Sequence, residues 1–159
     1  MSNRGRADLF DDWTATYDEI VAGSGGFPFT GYDEVLATVV VAAEVGPGDV
    51  VLDIGCGTGA LSRLLVGHGC IVLGTDFSAR MIAQAKAAVP EVTFIELDLL
   101  GSWAALAGRR FSRIVSTYVL HEFDLRTKVQ ILQLLARDHL KPEGRIVIGD
   151  IAFVTRRQL

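Results

Sequence analysis

The residues best suited to chemistry fall in one run, Val51-Leu-Asp-Ile-Gly-Cys-Gly-Thr-Gly59. Gly55, Gly57 and Gly59 let a backbone turn sharply and approach a ligand closely. Placed between a strand and a helix, such a loop sits where an open α/β sheet binds a nucleotide-like ligand. The spacing of Gly55, Gly57 and Ala60 also fits a dinucleotide fingerprint. Charge separates the two options. A dinucleotide sets a pyrophosphate against this turn, and Asp53, two residues before the first glycine, would repel it. A cationic ligand would be attracted by the same carboxylate, the more so where water is excluded. Asp53 also suits a second role, that of a loop cap bonded to nearby backbone N–H groups.

Two further acids follow at intervals. Asp76 comes about 20 residues into the pattern, where an acid accepts hydrogen bonds from ribose hydroxyls; it also suits a cap for a helix beginning near Ser78. Phe77 offers a face for an adenine, or a core contact. Asp98 offers an acceptor for an adenine amino group, or caps the loop before Gly101. Beyond these stands the segment Ser116-Thr-Tyr-Val-Leu-His-Glu-Phe123, expected to edge a substrate pocket. His121 there is the candidate general base, with positioning or structural hydrogen bonding as its other reading. The ring of Tyr118 could meet substrate or cation. Cys56 and Cys70 read as small packing residues rather than nucleophiles, and His68, His121 and His139 are too scattered for a metal motif.

These residues need elements to position them. Phe10, Trp13, Tyr17 and Ile20 share one face of a helix expected over 8–21, followed by a glycine-rich loop over 22–31. Val35, Leu36, Val39, Val40 and Ala43 make the stripe of a helix over 32–44. From there strands alternate with helices. Strands are expected at 50–54, 71–74, 92–97, 113–117 and 145–151. Helices are expected at 59–67, 78–88 and 125–139, where Met81, Ile82 and Ala85 share a face of the second. A short helix or turn is expected at 102–107 and a turn at 141–144. This order predicts a doubly wound α/β fold, a Rossmann-like parallel sheet covered by helices on both faces.

Composition bounds the rest. The 159 residues are half hydrophobic and 21% charged, with a net charge of −4. That is one domain with room for a core. It lacks the basic footprint of a nucleic-acid binder. No apolar run reaches membrane-spanning length, and the first residues lack the apolar stretch of a signal peptide, so no membrane partner and a cytoplasmic location are expected. Oligomeric state is not legible.

The glycine run, together with Gly74-Thr-Asp-Phe-Ser-Ala-Arg-Met81, Glu96-Leu-Asp-Leu99 and Leu140-Lys-Pro-Glu-Gly-Arg-Ile-Val-Ile148, resembles the successive motifs of class I methyltransferases dependent on S-adenosyl-L-methionine (SAM). Leu9-Phe-Asp-Asp-Trp-Thr-Ala-Thr-Tyr-Asp18 is similar to the N-terminal helix of the YrrT-like and ubiquinone-biosynthesis-like small-molecule members. The resemblance implies strand order 3-2-1-4-5 and methyl transfer from SAM to a small-molecule acceptor. It implies that the loop from Asp53 to Gly59, Cys56 included, holds the methionine moiety. Asp76 would hold ribose, Phe77 and Met81 would flank the cofactor, and Asp98 with Leu99 would meet the adenine edge. Ser116 would approach through its backbone. Trp13 and Tyr17 would form a lid, so that residues 1–45 cap a core at 46–155 within one domain over 1–159. Glu143 stands where most members have glycine, and strands 6 and 7 of the family are expected to be absent through a C-terminal truncation. A SAM-binding module without catalysis and, less favoured, an NAD-binding oxidoreductase are the competing functions.

Overall fold

The computed structural model describes residues 31–151. The helix expected over 8–21 lies outside the described residues, as do Trp13, Tyr17 and all but the last residue of the glycine-rich loop. The described elements are α1 (Tyr32–Ala43), β1 (Val50–Ile54), α2 (Ala60–Gly67), β2 (Ile71–Asp76), α3 (Ala79–Ala88), β3 (Thr93–Glu96), β4 (Phe111–Thr117), α4 (Leu125–Leu134) and β5 (Leu140–Gly149). The five strands form one sheet in the order β3-β2-β1-β4-β5, parallel throughout. The expected strand order is therefore the observed one.

Side chains alternate across a strand, so β1 feeds two cores. Val51 joins Leu36, Val39 and Ala43 of α1, Leu61 and Leu65 of α2, and Ala85 of α3 on one face. Leu52 and Ile54 join Leu73, Ile114, Ile131 and Leu135 on the other. The same alternation turns Asp53 toward the first face, beneath α2.

Local sequence explains the ends of the elements. Ser78 caps α3 by accepting the Met81 N–H at 3.2 Å, and Asp124 caps α4 by accepting the Thr127 N–H at 2.8 Å. Helix α1 has no basic residue in its last turn, although cations favour that end. Two strand arginines supply them. Arg113 of β4 donates to the carbonyls of Ala43 and Glu44, and Arg145 of β5 donates to Ala42 O at 2.7 Å and pairs with Glu44. Arg113→Ala is expected to lower stability by about 1–2 kcal/mol, because it leaves helix-end carbonyls without their charged donor; the midpoint of urea unfolding measures it. Gly149 of β5 lets α1 lie close, since an added Cβ would stand 2.8 Å from both Val35 and Val39.

Three boundaries differ from the sequence reading. The helix expected over 125–139 is α-helical to Leu134 and closes with a π-helical turn over Leu135–His139. That turn brings His139 under Trp103, ring centroids 5.7 Å apart. The fifth strand begins at Leu140 and ends at Gly149. The expected turn lies inside it: Phe111 pairs with Leu140 while Arg113 pairs with Arg145, so residues 141–144 bulge from the ladder, with Glu143 at φ 61°. The first residue of β4 is Phe111, because its side chain enters the second core.

Candidate functional site

A cleft opens at the carboxyl ends of the strands, where β1 lies between β2 and β4 and the strand order reverses. Its empty volume, open mouth included, is about 710 Å³. Of the residues singled out by sequence, it brings together Gly55, Gly57, Asp76, Phe77, Met81, Asp98, Leu99 and Tyr118.

The floor is the β1–α2 loop. Gly55 has φ +67°, Gly57 φ +53° and Gly59 φ +89°. At Gly55 a Cβ would also overlap the Val119 side chain, so the loop lies directly against the turn that follows β4. The loop is tied to β2 by the Cys56 N–H, which donates to Thr75 O at 2.9 Å. Gly59 begins α2 over Phe94 and Ala85, away from the cleft lining.

Asp76 ends β2 with a carboxylate only 8% exposed. Its Oδ2 accepts the Gly57 N–H at 3.0 Å and its Oδ1 accepts the Ser78 N–H at 3.0 Å. Burial raises its pKa above the ordinary carboxylate value, against the opposing pull of those N–H groups. It thus braces the glycine loop while lining the cleft. The cap at Ser78 belongs to Ser78 itself.

Asp53 lies beneath the loop rather than on the cleft wall. It is fully buried, its Oδ2 accepts the Ser62 hydroxyl at 2.6 Å, and its Oδ1 has no hydrogen-bond partner. Burial, more than the neighbouring Asp76 charge, pushes its pKa up to about 7. Cys56 is buried, and the same desolvation drives its thiol far above the ordinary range, which leaves no thiolate for nucleophilic chemistry. Ser116 is buried below the cleft and donates to Ile54 O at 2.9 Å.

The wall after β4 was the least legible part. Thr117, Val119, Glu122 and Phe123, all within the segment expected to edge the pocket, line the cleft, as does Leu97 opposite; which of them would do so was not read from the sequence. Tyr118 adopts φ +57° and stacks on Tyr32, centroids 5.4 Å apart. His121 stands behind this wall, with Nδ1 at 2.7 Å from Asp150 Oδ1 and Nε2 at 3.2 Å from Glu122 Oε1. Among the described residues no cluster of His, Cys, Asp and Glu could hold a metal ion, and no helix is long and apolar enough to cross a membrane.

A glycine loop, a buried acid closing β2 and a cleft at the switch point of a 3-2-1-4-5 sheet together define a class I cofactor-binding fold. A family model described as a methyltransferase domain matches residues 51–144. An uncharacterised methyltransferase of Oceanobacillus iheyensis is 34% identical over 152 residues, covering 94% of this chain and 68% of its own length. A TehB-like SAM-dependent methyltransferase from Corynebacterium glutamicum is 25% identical with a TM-score of 0.66, over 92% of this chain and 73% of that one. A SAM-dependent methyltransferase from Geobacter sulfurreducens, solved with S-adenosyl-L-homocysteine, is 30% identical with a TM-score of 0.57, over 72% of this chain and 47% of that one. The chain belongs to the class I SAM-dependent methyltransferases.

Proposed function

We propose that the cleft binds SAM across the β1–α2 loop and that the chain transfers its methyl group to a small-molecule acceptor. One observation carries the assignment of residues: the Gly57 N–H that a diphosphate would need is already taken by the Asp76 carboxylate, and Asp53 lies just below. Two carboxyl groups at this turn disfavour a phosphate and suit a cation. The orphaned, fully buried Asp53 Oδ1 fits the same ligand, since a nearby positive charge would offset the cost of its ionisation.

When bound, SAM supplies a sulfonium-activated methyl group. The protein's own residues do the rest. Asp76 accepts hydrogen bonds from ribose hydroxyls, Phe77, Met81 and Leu99 enclose the base, and Asp98 meets its edge. Val119 and Phe123 keep water from the reacting end. These residues would hold an acceptor in line with the methyl group that bound SAM would supply, with a neutral thioether as the leaving group. Alignment and desolvation carry most of the rate enhancement in such a displacement.

Asp76→Ala is expected to weaken SAM binding by about 1–3 kcal/mol, read by calorimetry on a variant whose circular dichroism matches the parent. Unchanged affinity would remove the ribose assignment. Tighter binding of NAD than of SAM by the parent protein would overturn the cofactor reading.

A further inference from the structure

Asp150 follows β5 and reaches across to the turn after β4. Its Oδ2 accepts the His121 backbone N–H at 2.7 Å, and its Oδ1 lies 2.7 Å from His121 Nδ1. A carboxylate can only accept, so a hydrogen on Nδ1 would donate to Asp150 and one on Nε2 to Glu122. The opposite ring nitrogen faces Glu122 at 3.2 Å. Of these three side chains, Glu122 is the one that lines the cleft. The chain of contacts therefore runs from a strand end, through an imidazole, to a carboxylate on the reaction chamber's wall.

We propose that Glu122 receives the methyl acceptor, that His121 and Asp150 hold it in place, and that the acceptor is a small organic amine. This rests on the SAM reading above. Three observations support it. The first is position. Asp76 follows β2 and Asp98 lies beyond β3, whereas Glu122 lies after β4, on the other side of β1. A cofactor fixed through its ribose by Asp76 has its reacting end toward β4, where Glu122 stands. The second is charge. Asp76, Asp98 and Glu122 line the cleft, and no Lys, Arg or His does so among the described residues. That field repels an acceptor carrying a carboxylate or phosphate and attracts an amine. The third is the surrounding surface. Tyr118 offers a ring face that favours a cationic or N–H-bearing group, while Val119 and Phe123 make the wall around the carboxylate apolar. The amine enters as its ammonium form and gives one proton to Glu122, which frees the nitrogen lone pair to attack the methyl carbon; Glu122 passes that proton to solvent as the methylated ammonium leaves. His121 and Asp150 are positioning residues, since they act through Glu122.

The test uses three adenosyl ligands by calorimetry on the full chain. S-Adenosylhomocysteine has no charge at sulfur, SAM has a cationic sulfur without an N–H, and sinefungin carries an amine in place of the methyl sulfonium. Glu122→Gln is expected to weaken sinefungin binding at least about tenfold, while leaving S-adenosylhomocysteine within about twofold and costing SAM less than sinefungin. His121→Gln is expected to give a smaller loss with the same selectivity for sinefungin. Equal losses for all three ligands, or no loss for sinefungin, would overturn the role of Glu122. Equal losses for SAM and sinefungin alone would assign Glu122 to the cofactor's sulfonium and overturn the acceptor role. Failure of the parent protein to bind S-adenosylhomocysteine would instead sink the cofactor reading.

Discussion

Gly55→Ala is expected to abolish measurable SAM binding and to destabilise the fold by about 2–4 kcal/mol. Two costs combine. Alanine in the left-handed region loses about 1–2 kcal/mol, and Gly55 sits there at φ +67°. Its methyl group would also overlap the Val119 side chain, and overpacking adds about 1–3 kcal/mol. Relief of the overlap moves either the glycine loop or the turn carrying Tyr118 and Glu122, and both line the cleft. The double variant Gly55→Ala/Val119→Ala separates the two costs. It should recover the steric part in a thermal melt and leave the backbone part. If Gly55→Ala alone binds SAM like the parent, the loop does not approach the ligand.

The second large effect concerns pH. Asp53 has a pKa of about 7 in the fold, against about 3.8 for a carboxyl in an unfolded chain. Between those values the native state holds a proton that the unfolded state releases. The contribution of Asp53 to stability is therefore fully present below pH 4. It is lost progressively as pH rises toward 7, and above that the penalty is constant. The difference corresponds to about 4 kcal/mol. Asp53→Asn keeps an acceptor for the Ser62 hydroxyl and removes the charge. It should unfold at higher urea concentration than the parent at pH 8, with the two curves converging near pH 4. Cation binding reverses the advantage. SAM affinity of the parent should increase from pH 6 to pH 8 as Asp53 ionises, and the asparagine variant should lack that increase. Parallel stability profiles for the two proteins would show that Asp53 does not titrate in this range.

Much of the side of the cleft formed by β1, β2 and β3 was legible in the sequence because its determinants are local. Gly55, Gly57, Asp76, Phe77, Asp98 and Leu99 each follow a strand end, and strand ends could be read from short apolar runs. The parallel sheet followed from the alternation of those runs with amphipathic helices. What escaped depends on contacts between distant segments. Nothing in the composition of β4 announces that Arg113 reaches back to the end of α1, 70 residues earlier in the chain. The segment Ser116–Phe123 was expected to edge a pocket, but a short 3₁₀ turn over Leu120–Glu122 decides which of its last residues face the cleft. Glu122 was overshadowed by its neighbour His121, which the structure places behind it. Asp53 was read by charge and as a loop cap. The strand period of two, applied from Val51, already points it toward α2 and Ser62, beneath the floor.

The close seat of α1 on Gly149 carries implications for the adjacent cleft. That seat brings Tyr32 onto Tyr118, whose N–H donates to the carbonyl of the same glycine at 2.9 Å. Helix spacing and the contour of the reaction chamber are thus mechanically linked at a single position without a side chain. Homologous chains that alter this spacing inherit a chamber of different width even when every residue facing the ligand is preserved. Selectivity among acceptors can then drift through the scaffold while the chemistry stays intact.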